Sequence, residues 1–225
     1  MTKGLSILFA GAAVVGFSNW ANAAATLTVY DGVNPLITVI DNGLGDQFPI
    51  TGEILVQTNV GVWSLDINVA VTKPIFGSTT EPVMDLSASA SSSAAGSLRL
   101  VFSDNGFGPA TGTLNATETG QVVNGAPGTV TYGVYGDPAN VIGATTVLIV
   151  GLGTTAFPTS ETASGPLTLS APFALTQIVT FTASGATTIS SDASLNVTVP
   201  EPGVLGFGAL GMIVCALARL QRRQA

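Results

Sequence analysis

Residues Trp63-Ser-Leu-Asp-Ile-Asn-Val-Ala-Val71 alternate in polarity over nine positions. Successive strand side chains point to opposite faces, so Trp63, Leu65, Ile67, Val69 and Val71 share one face and Ser64, Asp66, Asn68 and Ala70 the other. The pattern predicts a half-buried β-strand with Trp63 in the core. Similar alternation at Thr26–Tyr30, Met84–Ala90, Leu98–Ser103, Thr129–Tyr135 and Ser194–Val199 predicts more strands. Apolar, β-branched runs at Leu36–Ile40, Val147–Val150 and Ile178–Phe181 read as buried ones. Between these segments stand turn signals: Asp31-Gly, Asn34-Pro, Asn42-Gly, Asn105-Gly, Asn124-Gly, Asp137-Pro and Ser164-Gly-Pro. No helical period of comparable strength appears, and no fixed-period repeat points to a propeller or solenoid. The expected fold is all-β, a single antiparallel β-sandwich or jelly-roll-like domain. The Ser87–Ser93 stretch could divide two domains as a linker, but strand patterns continue on both sides of it. It reads as the end of the Met84 strand and a turn.

Charge narrows the partners. All thirteen acidic residues lie between Asp31 and Glu201, where the only bases are Lys73 and Arg99. Nucleic acid and anionic headgroups suit such a surface poorly. The single cysteine, Cys215, has no intramolecular partner, so disulfides do not hold the domain. Stability must come from sheet packing.

The two ends are of another kind. Lys3, an apolar run from Leu5 to Phe17, and Ala21-Asn-Ala23 have the order of a secretory signal peptide, with cleavage expected after Ala23. At the other end Gly203 to Ala218 is free of charge for 16 residues. As a helix that run would reach about 24 Å, short of a bilayer core of about 30 Å. Glycines at 203, 206, 208 and 211 weaken it further. Arg219, Arg222 and Arg223 follow directly and hold that side in the cytoplasm, so the body is expected outside. Before the run, Pro200 and Pro202 force Val199 and Glu201 into extended conformations. The expected organisation is a signal peptide at 1–23, an extracytoplasmic β-domain at 24–199, and a sorting tail at 200–225 that includes a transmembrane helix.

This tail resembles the PEP-CTERM sorting signal of exopolysaccharide-producing Gram-negative bacteria. The resemblance covers about the last 27 residues. It implies recognition of Pro200, Glu201 and Pro202 by exosortase, an integral-membrane cysteine protease, after export by Sec-type machinery. It further implies residence in the inner membrane as a precursor, transfer to the cell surface or extracellular matrix, and association with exopolysaccharide or biofilm. Val29-Tyr-Asp-Gly, Asp41-Asn-Gly-Leu-Gly-Asp46, Lys73-Pro-Ile-Phe-Gly-Ser78 and Phe102-Ser-Asp are similar to segments of other exported proteins of this kind and bring no catalytic residues.

The body is poor in reactive groups. It contains no histidine, which excludes Ser-His-Asp, Cys-His and histidine-based metal sites. No Gly-x-Ser-x-Gly elbow or phosphate loop is present, and a Ser–Lys pair would have to use Lys73 without an accompanying serine motif. No catalytic residue and no cofactor is therefore expected. Calcium is the one metal with suitable donors, at Asp31, Asp41, Asn42, Asp46, Asp104 and Asn105, although the 41–46 segment lacks the EF-hand pattern. Asp and Asn beside glycine are first of all turn formers. Trp63, Tyr132 and Tyr135 could stack on sugar rings, but their places in alternating strands favour core packing. Asn115-Ala-Thr and Asn196-Val-Thr fit the glycosylation acceptor pattern. Three functional classes stay open: a non-enzymatic surface or matrix protein, a glycan- or calcium-binding module using the loops at one sandwich end, and a glycosidase built on two carboxylates.

Overall fold

The computed structural model describes residues 25–199, the side chains of residues 67 and 68 excepted. Its strands are β1 (Thr26–Tyr30), β2 (Ile37–Ile40), β3 (Glu53–Val60), β4 (Trp63–Val71), β5 (Val83–Ser92), β6 (Gly96–Phe107), β7 (Ala110–Gly125), β8 (Gly128–Asp137), β9 (Val147–Ala156), β10 (Thr159–Leu169), β11 (Phe173–Ala183) and β12 (Thr187–Thr198). They form two antiparallel six-stranded sheets, β2-β1-β6-β11-β8-β9 and β10-β7-β12-β5-β4-β3. The all-β sandwich follows from the sequence pattern as expected. The signal-peptide residues Ala21 and Ala23, the motif Pro200, Glu201 and Pro202, the apolar tail, and Arg219, Arg222 and Arg223 lie outside the described residues.

The core is the layer between the inner faces. Leu98, Leu100 and Phe102 of β6 and Val179 and Phe181 of β11 meet Trp63 and Leu65 of β4, Met84 and Leu86 of β5, and Leu195 of β12. Trp63 is 1% exposed, and its indole N–H has no partner within the protein. Tyr132 is buried too, whereas Tyr135 is half-buried, its ring lying over Gly133 on the same strand. A Cβ at Gly133 would come within 3.3 Å of that ring.

Four local expectations need correction. The alternation of β4 does not run unbroken: one extra residue on β4 between Asp66 and Val69 shifts its register against β5, and the same bulge offsets it from β3. After the bulge Ala70 joins the core cluster and Val69 is half-buried, because one inserted residue shifts the alternation; Val71 is buried but stands outside that cluster. The runs at 36–40 and 147–150 are edge strands of the first sheet, not buried ones. Ile40, Val147 and Leu148 remain exposed there, since hydrophobicity alone does not say whether a strand has two neighbours. Ser164-Gly-Pro lies inside β10 rather than at a turn, as β10 is an edge strand on which Pro166 need not donate. Asn105-Gly is a bulge in β6, where Gly106 has φ 71° and the register against β11 shifts by one residue.

Polar groups also enter the core. Glu118 of β7 is 1% exposed, accepts from Ser191 Oγ at 2.7 Å, and leaves Oε2 without a partner. Burial, with nearby charges adding to it, keeps the Tyr132 phenol neutral, and its one hydroxyl proton is shared between Gln177 Oε1 at 2.9 Å and the Ser194 carbonyl at 3.1 Å. Burial pushes the Glu118 carboxyl from 4.5 up to about 8, against the pull of Ser191.

Two outcomes are expected. Below about pH 4.5 folded and unfolded chains both hold the Glu118 proton; between there and about pH 8 only the unfolded chain loses it, so stability falls as pH rises. The slope is at most about 1.4 kcal/mol per pH unit. Urea midpoints across that window should therefore decline with pH in the wild type and much less in Glu118→Gln. Trp63→Ala should cost about 3–5 kcal/mol in the same measurement.

Candidate functional site

The sandwich end that carries the 41–52 and 72–82 loops holds a pocket of 570 Å³. Its lining includes Asp41, Asn42, Thr51, Lys73, Ser78 and Asp104, with Pro74 supplying apolar surface. The β6 bulge positions Asp104: it falls at the register shift, so both Ser103 and Asp104 are buried in succession.

Side-chain oxygens tie the two loops in place. Asp41 accepts the Gly52 N–H at 2.8 Å and Asn42 Nδ2 at 2.8 Å, and Asn42 Nδ2 also reaches Thr51 Oγ1 at 3.2 Å. Asn42 itself has φ 58°, a left-handed conformation that asparagine tolerates. Asp46 accepts the N–H groups of Asn42, Phe48 and Leu55 at 2.9–3.1 Å. Asp104 accepts Thr72 Oγ1 at 2.8 Å and Lys73 Nζ at 2.6 Å on Oδ2, and the Asn105 N–H at 2.8 Å on Oδ1. Burial raises the carboxyls of both Asp41 and Asp104; for Asp41 the Asp46 and Asp104 charges add to it, and for Asp104 Lys73 opposes it.

The oxygen donors available for calcium are split by this geometry. Asp31 lies after β1 and Asp41 after β2, opposite ends of one antiparallel hairpin. Asp31 closes its own turn by accepting the Val33 and Asn34 N–H groups and Asn34 Nδ2. Asp41, Asn42 and Asp104 share the pocket; Asp46 and Asn105 support its walls. Among the described residues no three His, Cys, Asp or Glu side chains gather where they could hold a metal ion.

The outward side of the second sheet is different in character. Ser87 and Ser89 of β5, Ser190, Asp192 and Ser194 of β12, and Thr117 and Thr119 of β7 face out. A 470 Å³ groove runs over Ser87, Thr119, Gln121, Ser190 and Asp192. Asp85 stands beside it, pushed up to about 6 by burial and then by the Asp192 charge. Asp192 accepts Ser87 Oγ at 2.6 Å.

What sequence reasoning missed is the exposed apolar surface of the two loops that carry the pocket. Leu44, Phe48 and Ile50 on one loop and Ile75 and Phe76 on the other are exposed, Leu44 at 99%. Apolar residues within loops rich in Asp, Asn and Gly were the available signal.

No protein-family model matches the chain, and comparison with curated proteins finds no match. Among solved structures it is similar to the carbohydrate-binding module TmCBM61, solved with β-1,4-galactotriose, at 9% identity over 60% of this chain and 88% of that one, TM-score 0.33. It is similar to the CBM22-1 xylan-binding domain of Paenibacillus barcinonensis Xyn10C at 9% identity over 64% and 86%, TM-score 0.33. The K3 adhesin domain of Lys-gingipain from Porphyromonas gingivalis matches at 17% identity over 50% and 74%, TM-score 0.29. Overlap of this size is too small to carry the ligands of those proteins to this chain.

Since every acid around the pocket already has protein partners, chelator should have no effect on the fold: melting temperatures with and without EDTA are expected to coincide. A marked fall with EDTA would instead reveal a structural cation.

Proposed function

We propose that this chain is an exported, non-enzymatic surface or matrix protein whose β-sandwich binds a neutral glycan at the loop-end pocket. The observation that carries this reading is the pair of loops: they line the pocket with Asn42, Thr51 and Ser78 and expose Phe48, Ile50, Ile75 and Phe76, the first loop held by Asp41 and Asp46 and the second by Asp104. A sugar has the matching duality, apolar ring faces and hydroxyl edges, and aromatic rings serve the first while amides and hydroxyls serve the second. The acidic body favours a neutral polymer over a polyanion.

The tail supplies the address. Pro200, Glu201 and Pro202 are the motif read by an exosortase-type protease, and Arg219, Arg222 and Arg223 hold the precursor in the inner membrane until processing. Export through Sec-type machinery, with cleavage after Ala23, precedes both. The sandwich would then reach the cell surface or extracellular matrix, where exopolysaccharide is the available glycan.

Hydrolysis is the weaker alternative. Both carboxyls that line the pocket, Asp41 and Asp104, already accept protein donors on each oxygen, so neither is free to protonate a leaving group.

The test is affinity electrophoresis in gels cast with neutral or acidic polysaccharides. Retardation by a neutral polymer is expected, with about tenfold weaker binding, roughly 1.4 kcal/mol, in Phe76→Ala or Phe48→Ala. Unchanged mobility in every gel, or variants as retarded as the wild type, would overturn the assignment.

A further inference from the structure

At the inner wall of the pocket, Lys73 and Asp104 are closer and drier than a surface ion pair needs to be. Nζ lies 2.6 Å from Oδ2, with Asp104 1% and Lys73 16% exposed. A second bond of 2.6 Å to the Asn105 carbonyl fixes the amine, and the Phe107 ring centroid lies 4.2 Å from it. Lys73 supplies the only side-chain amine of the 24–199 body.

We propose that Lys73 Nζ and Asp104 Cγ condense into an intramolecular amide that joins the 72–82 loop to β6 and releases one water. Proton transfer along the Nζ–Oδ2 hydrogen bond turns ammonium and carboxylate into neutral amine and neutral acid. The nitrogen lone pair then forms the N–Cγ bond, and negative charge develops on Oδ1, where the Asn105 N–H already donates at 2.8 Å. The nitrogen gives up a proton, Oδ2 takes one and leaves as water, and the Thr72 hydroxyl that donates to Oδ2 at 2.8 Å holds that oxygen as it departs. The proton that the nitrogen gives up passes across the same 2.6 Å Nζ–Oδ2 contact to the leaving oxygen. Both reactants belong to the chain, so no oxidant, activated donor or cofactor enters the balance.

Two physical arguments favour the bond. Oriented partners in one folded chain react as if at about 10⁵–10⁸ M. A buried ion pair also bears the desolvation of two charges, which a neutral amide does not. Burial that raises the Asp104 carboxyl despite the lysine beside it works in the same direction, toward the neutral acid.

Trypsin provides the test on the full-length protein. Arg99 is the one basic residue between Lys73 and Asp104, and the Lys73-Pro74 bond resists the enzyme. After denaturation and digestion, the peptides on either side of Arg99 should remain covalently joined and weigh one water less than their sum, with fragmentation placing the bond at Lys73 and Asp104. Lys73→Arg keeps the charge but removes the nucleophile, so its peptides should separate. Wild-type peptides that separate at unmodified mass, or a link at other residues, would overturn the proposal, whether or not the variant folds. Glycan retardation is read in a different assay on different side chains, so either proposal can fail alone.

Discussion

Contact between the two inner sheet faces is the interaction on which the rest of this structure depends. The cysteine lies outside the described residues, and among those residues Lys73–Asp104 is the one ion pair. Stabilisation therefore comes from apolar area removed from water, at about 25 cal/mol per Å². Large side chains from both sheets supply it, Phe102, Phe107, Phe173 and Phe181 from one and Trp63, Ile54, Met84 and Leu86 from the other. Against this background Glu118 is the conspicuous exception. It stays inside by keeping its proton, so the layer remains uncharged at neutral pH at the cost of a stability that depends on pH.

Acidic residues outside that layer act mainly as fasteners. Asp31, Asp41, Asp46, Asp104 and Asp137 each accept backbone N–H groups from their own or a neighbouring loop. Such bonds satisfy donors that would otherwise be orphaned at strand ends, and at Asp31 and Asp137 they also hold the carboxyl below its ordinary range. The low count of bases follows from this use of acids: their partners are amides, not cations.

The fold class was legible because the period of two survives in most strands, as in Leu98, Leu100 and Phe102 or Ile189, Ala193 and Leu195. The parts that were not legible share a physical cause. β7 is the longest strand, yet its inward positions near the centre are Leu114, Ala116 and Glu118, and a buried carboxyl breaks the pattern by which strands are recognised. β10 is rich in Ser, Thr, Gly and Pro and is held by pairing with β7 along its whole length rather than by its own hydrophobicity. The bulge in β4 depends on how three strands fit together, which no single strand records. At the pocket, Asp41, Asn42 and Asp104 could be singled out as oxygen donors, but the bonds from Lys73 to Asp104 and to the Asn105 carbonyl join residues 31 and 32 positions apart in sequence.

Open edges remain the hazard of any two-sheet sandwich, because unpaired strand groups invite a second copy to add on. Each of the four edges here carries a different obstacle. β2 is only four residues long, and β10 carries Pro166 and Glu161, which deny donors and place charge along that edge. β9 has two extra residues relative to β8, so its outer edge is bent rather than straight. β3 begins at Glu53 and exposes Gln57 and Asn59. Exposed apolar residues such as Val147 and Leu148 sit on the bulged strand, where regular pairing is hardest to extend. The exposed apolar residues beside the pocket's loops, Phe48, Ile50, Ile75 and Phe76, are by contrast outside the strands and offer no ladder to a neighbour. Strand pairing between copies is thus suppressed at the edges while apolar contact stays available at one end, a division suited to binding a partner of another chemistry without polymerising.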